Sequence, residues 1–129
     1  MLNKALFLDR DGVINKDFQH VYKKIDIEFF DHIFDLVKHA NKLGYIVIIV
    51  TNQAGISRGI FTERELIELM EWILHQFNKM DSLITDYYYC PYHPNFPKKD
   101  YEEFKYDRKP EPGMFLKAKE KYNINMSKS

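Results

Sequence analysis

Tyr45-Ile46-Val47-Ile48-Ile49-Val50 is the longest uninterrupted apolar run of the chain, and Thr51-Asn52 follow it directly. A continuous β-branched run with no polar alternation predicts a strand buried on both faces. Upstream, Ala5-Leu6-Phe7-Leu8 has the same character and ends in charge at Asp9. Downstream, residues 83–89 predict a third strand. Helical spacing separates the strands. Ile33, Phe34, Val37 and Ala40 mark a helix over 31–43, with Gly44 as its stop. Residues 62–80 hold the clearest helix. Thr62 and Glu65 are spaced as a capping box, and Leu66, Leu69, Met70, Ile73, Leu74 and Phe77 form the apolar stripe. Residues 90–107 read as a long loop rich in Pro, Lys and Tyr. A last helix spans 112–122, with proline in its first turn. Strands alternating with helices predict an α/β fold, with right-handed crossovers and a parallel sheet covered on both faces. Ligands in such sheets bind beyond the carboxyl ends of the strands, which directs attention to Asp9, Thr51 and Cys90 onward.

The composition excludes several classes. The 129 residues form one domain, 1–129, without repeats or low-complexity segments. Nineteen Lys and Arg balance nineteen Asp and Glu, which argues against a nucleic-acid partner bound through bulk positive charge. Hydrophobic residues make up 45% and aromatics 16%, ample for a core. Cys90 is the one cysteine, so no intrachain disulfide forms, as suits a reducing compartment. A bilayer span needs about 20 apolar residues, far more than any run here. The N-terminus lacks a signal-peptide apolar region. The expectation is a cytoplasmic domain with no membrane partner. A nucleotide-binding module is disfavoured, since neither GxGxxG nor GxxxxGK[ST] occurs.

Four short motifs carry chemistry. Asp9-Arg10-Asp11-Gly12 places two carboxylates at the exit of a buried strand, and Gly12 permits the sharp turn after it. Asp9 can serve as nucleophile and ligand of a hard cation such as Mg2+, and Asp11 as general acid and base. Taken alone, the quartet reads more readily as an Asp-Gly turn with solvated carboxylates. Thr51-Asn52-Gln53 supplies a hydroxyl and amides suited to phosphate oxygens; alone it reads as a polar turn. Arg58 can grip a second phosphate or sugar hydroxyls, or simply be solvated. Arg108-Lys109 stands before Pro110 and Pro112, which fix the local backbone. A lysine there can offset carboxylate against phosphate; the alternative is a charged linker kept extended by its prolines.

The order of these motifs is more specific than any one of them. The chain resembles the haloacid dehalogenase-like phosphatases. FLDRDGVIN at 7–15, VTNQAGISRG at 50–59 and RKPEPGMF at 108–115 are similar to the subgroup of heptose bisphosphate and histidinol phosphate phosphatases. The resemblance covers nearly the whole chain. It implies a Rossmann-like three-layer sandwich without a large cap domain. It further implies an aspartyl-phosphate on Asp9, proton transfer by Asp11, and a phosphoryl cradle of Thr51 and Lys109. Asn52, Gln53, Arg58 and Arg108 become substrate-side contacts. Mg2+ is implied on the Asp9 carboxylate and the Asp11 backbone carbonyl. The implied substrate is a small sugar phosphate, foremost a heptose 1,7-bisphosphate of surface-polysaccharide synthesis. Histidinol phosphate is the alternative substrate, and the implied working unit is a monomer.

The chain departs from that pattern twice. Family members commonly hold a structural zinc through Cys-x-His and Cys-x-Cys. Here those positions read Cys90-Pro91-Tyr92 and Lys105-Tyr106-Asp107. One ligand of four survives, whereas structural zinc takes four. His93, Asp107 or His20 beside Cys90 would make only an improvised site. The expectation is a zinc-free loop packed around Tyr89, Tyr92, Phe96 and Tyr101. Second, no acidic residue follows Glu120, whereas the family has a Gly-Asp motif at the end of a later strand. This reads as a domain incomplete at its C-terminal end. It leaves open a weakly active or inactive sugar-phosphate-binding domain, and an open edge on the Asp9 strand where another chain can pair. Metal analysis of the purified protein is expected to find no tightly held zinc; about one zinc per chain, the stoichiometry of one structural site, would overturn this.

Overall fold

Three parallel strands form one sheet in the order β1-β2-β3: β1 is Lys4–Leu8, β2 is Tyr45–Asn52 and β3 is Asp86–Cys90. The structure is a computed structural model that describes residues 2–95 and 99–129. Helix α1 (Ile33–Lys42) connects β1 to β2, and α2 (Glu63–Lys79) connects β2 to β3. Helix α3 (Gly113–Tyr122) follows a 3-10 helix over Lys99–Asp107. The period-two alternation of a strand splits the buried residues into two cores. Leu8, Val47 and Ile49 pack with Val37 of α1 and Leu66, Ile73 and Phe77 of α2. Ala5, Ile48, Val50 and Cys90 pack on the other face with Met114 and Ala118 of α3. These are the three layers of a Rossmann-like sandwich, and strands buried on both faces have no polar alternation to show.

The aromatic residues concentrate under α1 and α2. Phe77 is wholly buried, with its ring 4.6 Å from that of Phe34 and 5.9 Å from that of Phe29. The capping box of α2 forms as the sequence predicts: Thr62 Oγ1 accepts from the Glu65 amide, and Glu65 Oε1 accepts from the Thr62 amide.

The boundaries differ from expectation in instructive ways. β2 runs two residues further, so Thr51 and Asn52 pair with Tyr89 and Cys90. β3 begins at Asp86 rather than at residue 83. Asn41 draws Leu83 out of the ladder, accepting its N–H at 2.7 Å and donating to its carbonyl at 3.1 Å. Pairing with β2 starts only where the Thr85 N–H reaches the Val47 carbonyl. The segment expected as a loop over 90–107 contains the 3-10 helix. Among the described residues β1 is an outer strand, and the start of its free edge is covered rather than open. Asn123, left-handed at φ 51°, ends α3 and turns the chain back along β1. Asn3 then donates to the Asn123 carbonyl at 2.9 Å and accepts from Asn125 at 2.7 Å, and the Ala5 amide donates to Ser129 Oγ. Among the described residues no helix is long and apolar enough to cross a membrane.

Phe77→Ala empties the centre of the aromatic cluster. It is expected to lower unfolding free energy by about 3–5 kcal/mol, measured by urea denaturation.

Candidate active site

The β1–β2 register sets the site. Leu8 pairs with Ile49, so Asp9 leaves the sheet beside the Val50-Thr51 end of β2. Lys109 reaches this point from the distant segment before α3. Its Nζ lies 3.1 Å from Asp9 Oδ2 and donates to the Val50 carbonyl at 3.0 Å. Asp9 Oδ1 accepts the Arg10 amide at 2.7 Å. Asn52 holds the Lys109 backbone from both sides. Its Oδ1 accepts the Lys109 amide at 2.9 Å, and its Nδ2 donates to the Lys109 carbonyl at 3.2 Å. The Lys109–Pro110 peptide bond is cis.

Asp11 sits in a second, more buried network. Arg10 is fully buried. Its Nη2 donates to Asp11 Oδ1 at 2.8 Å and Oδ2 at 3.1 Å, its Nε to Oδ1 at 3.0 Å, and Nη2 also to the Val21 carbonyl at 2.6 Å. A buried guanidinium needs such a partner, and the pair fixes the plane of the Asp11 carboxylate. Asn15 Nδ2 adds a bond to Oδ1 at 3.1 Å. Gln53 Nε2 donates to Asp11 Oδ2 at 3.0 Å and to Thr51 Oγ1 at 2.9 Å. Gly12 makes this turn possible: at φ 86° it lets the chain fold back while the Arg10 carbonyl takes the amides of Val13, Ile14 and Asn15.

Asn52 and Gln53, expected as substrate contacts, thus have amide groups engaged with Lys109, Asp11 and Thr51. Arg10 was not among the expected residues. Its signal was available: an arginine between two acids at a buried strand end has carboxylates within reach from either side.

A cleft of about 620 Å³ opens over these strand ends, lined by Asp11, Gln53, His20, Arg58, His93 and Arg108 among others. Arg108 Nη1 donates to the Tyr92 carbonyl at 3.1 Å. Burial, then the positive charges of Arg108 and Arg58, pushes His93 below the usual imidazole range. Gln19 and His20 are consecutive left-handed residues, φ 65° and 50°, at a turn tip where Asp17 Oδ1 accepts the Gln19 amide. Such backbone costs roughly 1–3 kcal/mol per residue and concentrates at functional sites. Tyr22, after this turn, stacks on Phe61, before α2, at 5.2 Å. A larger hollow of about 730 Å³ lies by Leu2, Leu116 and Met126, away from the paired acids and Lys109.

The donors for a hard cation are the Asp9 carboxylate, 41% exposed, and the Asp11 backbone carbonyl, which accepts no backbone N–H among the described residues. Both are oxygen ligands, and this set fits Mg2+, which keeps several waters in its shell. The four groups considered for an improvised zinc site are differently engaged. Cys90 Sγ donates to the Phe104 carbonyl at 3.3 Å, and burial raises its pKa. Asp107 pairs with Lys117, and His93 and His20 line the cleft. Among the described residues no three His, Cys, Asp or Glu side chains converge on a metal position. Of the residues expected to pack the loop, Tyr89 donates to Glu63 Oε2 at 2.7 Å, and Tyr92 and Tyr101 join the two cores; Phe96 lies outside the described residues.

Comparison with known proteins places this geometry among phosphatases. The sequence profile of the polynucleotide kinase 3 phosphatase family matches residues 5–129. A D-glycero-beta-D-manno-heptose-1,7-bisphosphate 7-phosphatase of Vibrio cholerae is 40% identical over 129 residues, 100% of this chain and 69% of that protein. A D-glycero-alpha-D-manno-heptose-1,7-bisphosphate 7-phosphatase of Burkholderia mallei is 42% identical over the same span, 68% of its length. The crystal structure of D,D-heptose 1.7-bisphosphate phosphatase from B. bronchiseptica, complexed with magnesium and phosphate, superposes with TM-score 0.79 at 25% identity. That match covers 95% of this chain and 65% of that one.

Arg58→Gln removes one positive charge facing His93. The imidazolium is then less disfavoured, so the His93 pKa is expected to rise toward its ordinary value in an NMR titration; an unchanged or lower value would contradict the placement of Arg58 on this cleft.

Proposed function

We propose a function on one premise: the chain belongs to the polynucleotide kinase 3 phosphatase family, among the haloacid dehalogenase-like phosphatases. The function is Mg2+-dependent hydrolysis of a phosphate ester on a small sugar phosphate, foremost D-glycero-D-manno-heptose 1,7-bisphosphate. The observation that carries it is the contact of Lys109 Nζ with Asp9 Oδ2, at the strand ends and beside the Asp11 network. The chain spans about two thirds of the length of its curated relatives and 65% of the solved enzyme.

In this reading an Asp9 carboxylate oxygen attacks phosphorus, and the bond from phosphorus to the sugar oxygen breaks. Asp11 gives its proton to the leaving alkoxide. It then takes a proton from the water that attacks the aspartyl-phosphate, which releases phosphate and restores Asp9. Lys109 offsets the negative charge that Asp9 and the phosphoryl oxygens bring together, and Thr51 Oγ1 donates to a phosphoryl oxygen. Arg10, Asn15 and Gln53 keep the Asp11 carboxylate in one plane, and Asn52 keeps Lys109 in register. Arg58 and Arg108 face the rest of the substrate, a role that suits a second anionic or hydroxyl-rich end. The Asp9 carboxylate and the Asp11 carbonyl would hold Mg2+, which when bound would supply positive charge against the phosphoryl oxygens. By family resemblance the proposed working unit is a monomer in the cytoplasm, with pairing at the β1 edge as the alternative.

Purified protein with Mg2+ is expected to release phosphate from the heptose bisphosphate faster than from histidinol phosphate. Preference for histidinol phosphate would reassign the substrate. Asp9→Asn is expected to lower kcat by about a thousandfold or more. Absence of turnover in the unmodified chain, with sugar phosphate still bound, would instead favour an inactive binding domain.

A further inference from the structure

Residues 108–112 form a turn whose two ends meet. Asp107, just before it, is 6% exposed and ion-paired through Oδ2 with Lys117 Nζ of α3. Gly113, just after it, lies so close that a Cβ there would overlap Asp107 Oδ1 and the Tyr106 carbonyl. Within the turn the Glu111 amide donates to the Arg108 carbonyl at 2.8 Å. The turn is therefore a closed loop clamped at its base, and its upper side delivers Lys109 to Asp9 and Arg108 to Tyr92.

The clamp has further support on α3 and on the 3-10 helix. Lys117 Nζ lies 5.5 Å from the centre of the Phe104 ring. The Phe104 carbonyl takes the Cys90 thiol, which ties the same segment to the end of β3. Lys117 is half-exposed whereas Asp107 is not. A buried carboxylate left without its cation is costly, so losing Lys117 releases Asp107 rather than leaving it in place. Asn52 holds Lys109 from the sheet side, and Met114 seats the start of α3 on the sheet; the Asp107–Lys117 pair closes the turn between these two anchors.

We propose that the Asp107–Lys117 pair, seated on Gly113, is a positioning latch for Lys109: it sets the base of the 108–112 turn so that the ammonium stays at the phosphoryl position. This rests on the phosphatase reading above. Lys117 touches neither Asp9 nor Asp11; it acts through the turn. Placement errors near 1 Å suffice to reduce turnover strongly.

The test compares the unmodified chain with Lys117→Met, Lys117→Arg and Asp107→Asn. It measures kcat and KM on the heptose bisphosphate, affinity for inorganic phosphate with Mg2+, and melting temperature. Lys117→Met keeps the aliphatic stem on a half-exposed helical position and is expected to fold. Its kcat and phosphate affinity are expected to fall about tenfold, with recovery in Lys117→Arg and a matching loss in Asp107→Asn. Combined with Lys109→Met, Lys117→Met is expected to add no further loss of phosphate affinity, because coupled sites are not additive. Turnover and phosphate affinity in Lys117→Met within about twofold of the unmodified chain, or losses that add to those of Lys109→Met, overturn the latch while leaving the phosphatase reading intact. A lower melting temperature with unchanged kcat also overturns it, since that marks a purely structural pair. An unmodified chain that neither binds phosphate nor turns over overturns both.

Discussion

The ammonium of Lys109 is the point on which the site turns. It sits between a carboxylate at the end of β1 and a backbone carbonyl near the end of β2, so it joins the ends of two strands beyond their ladder hydrogen bonds, as the Gln53–Asp11 bond also does. Its own backbone is held by Asn52. Parallel strands bring their carboxyl ends to one edge, where backbone groups and acids crowd together. A cation delivered from the far side of the chain offsets that crowding. Without it Asp9 would face an anionic phosphoryl group with one positive neighbour fewer.

Around this point the polar residues sort into two shells with different partners. Asp9 and Lys109 are partly exposed. Arg10, Thr51 and Gln53 are buried and bond to Asp11 or to one another. A low-dielectric setting strengthens such buried bonds, and Arg10 takes a backbone carbonyl as well as the acid, whereas the Oδ1 of Asn15 in the same network is buried without a hydrogen-bond partner among the described residues. Net neutrality of the whole chain coexists with a local arrangement: acids at the strand ends, and Arg58 and Arg108 lining the same cleft as Asp11.

The strands and helices were legible because apolar periodicity is a local property. Tyr45 to Val50 needs no partner to declare itself, and Thr62 with Glu65 encodes its cap within four residues. Asp9, Asp11, Thr51 and Lys109 were legible from their order along the chain, and the structure brings them to one edge. What stayed hidden depends on residues far apart in sequence. Leu83 looks like a strand residue until Asn41, distant in sequence, takes its backbone. Asn52 and Gln53 line the cleft as the motif suggests, but their bonds to Lys109 and Asp11 cannot be read from the local sequence. Arg10 hides for the opposite reason, since charge is ordinarily read as surface and this one is fully buried. The Asp107–Lys117 pair lies between a loop and a helix whose contact no periodicity reports.

The stack of Tyr22 on Phe61 ties two distant connections together. One ring belongs to the connection after β1 and the other to the connection after β2, and their neighbours Gln19, His20 and Ile60 line the cleft. Parted, each ring would expose an aromatic face to water, so the burial of one ring against the other favours keeping the two connections in contact.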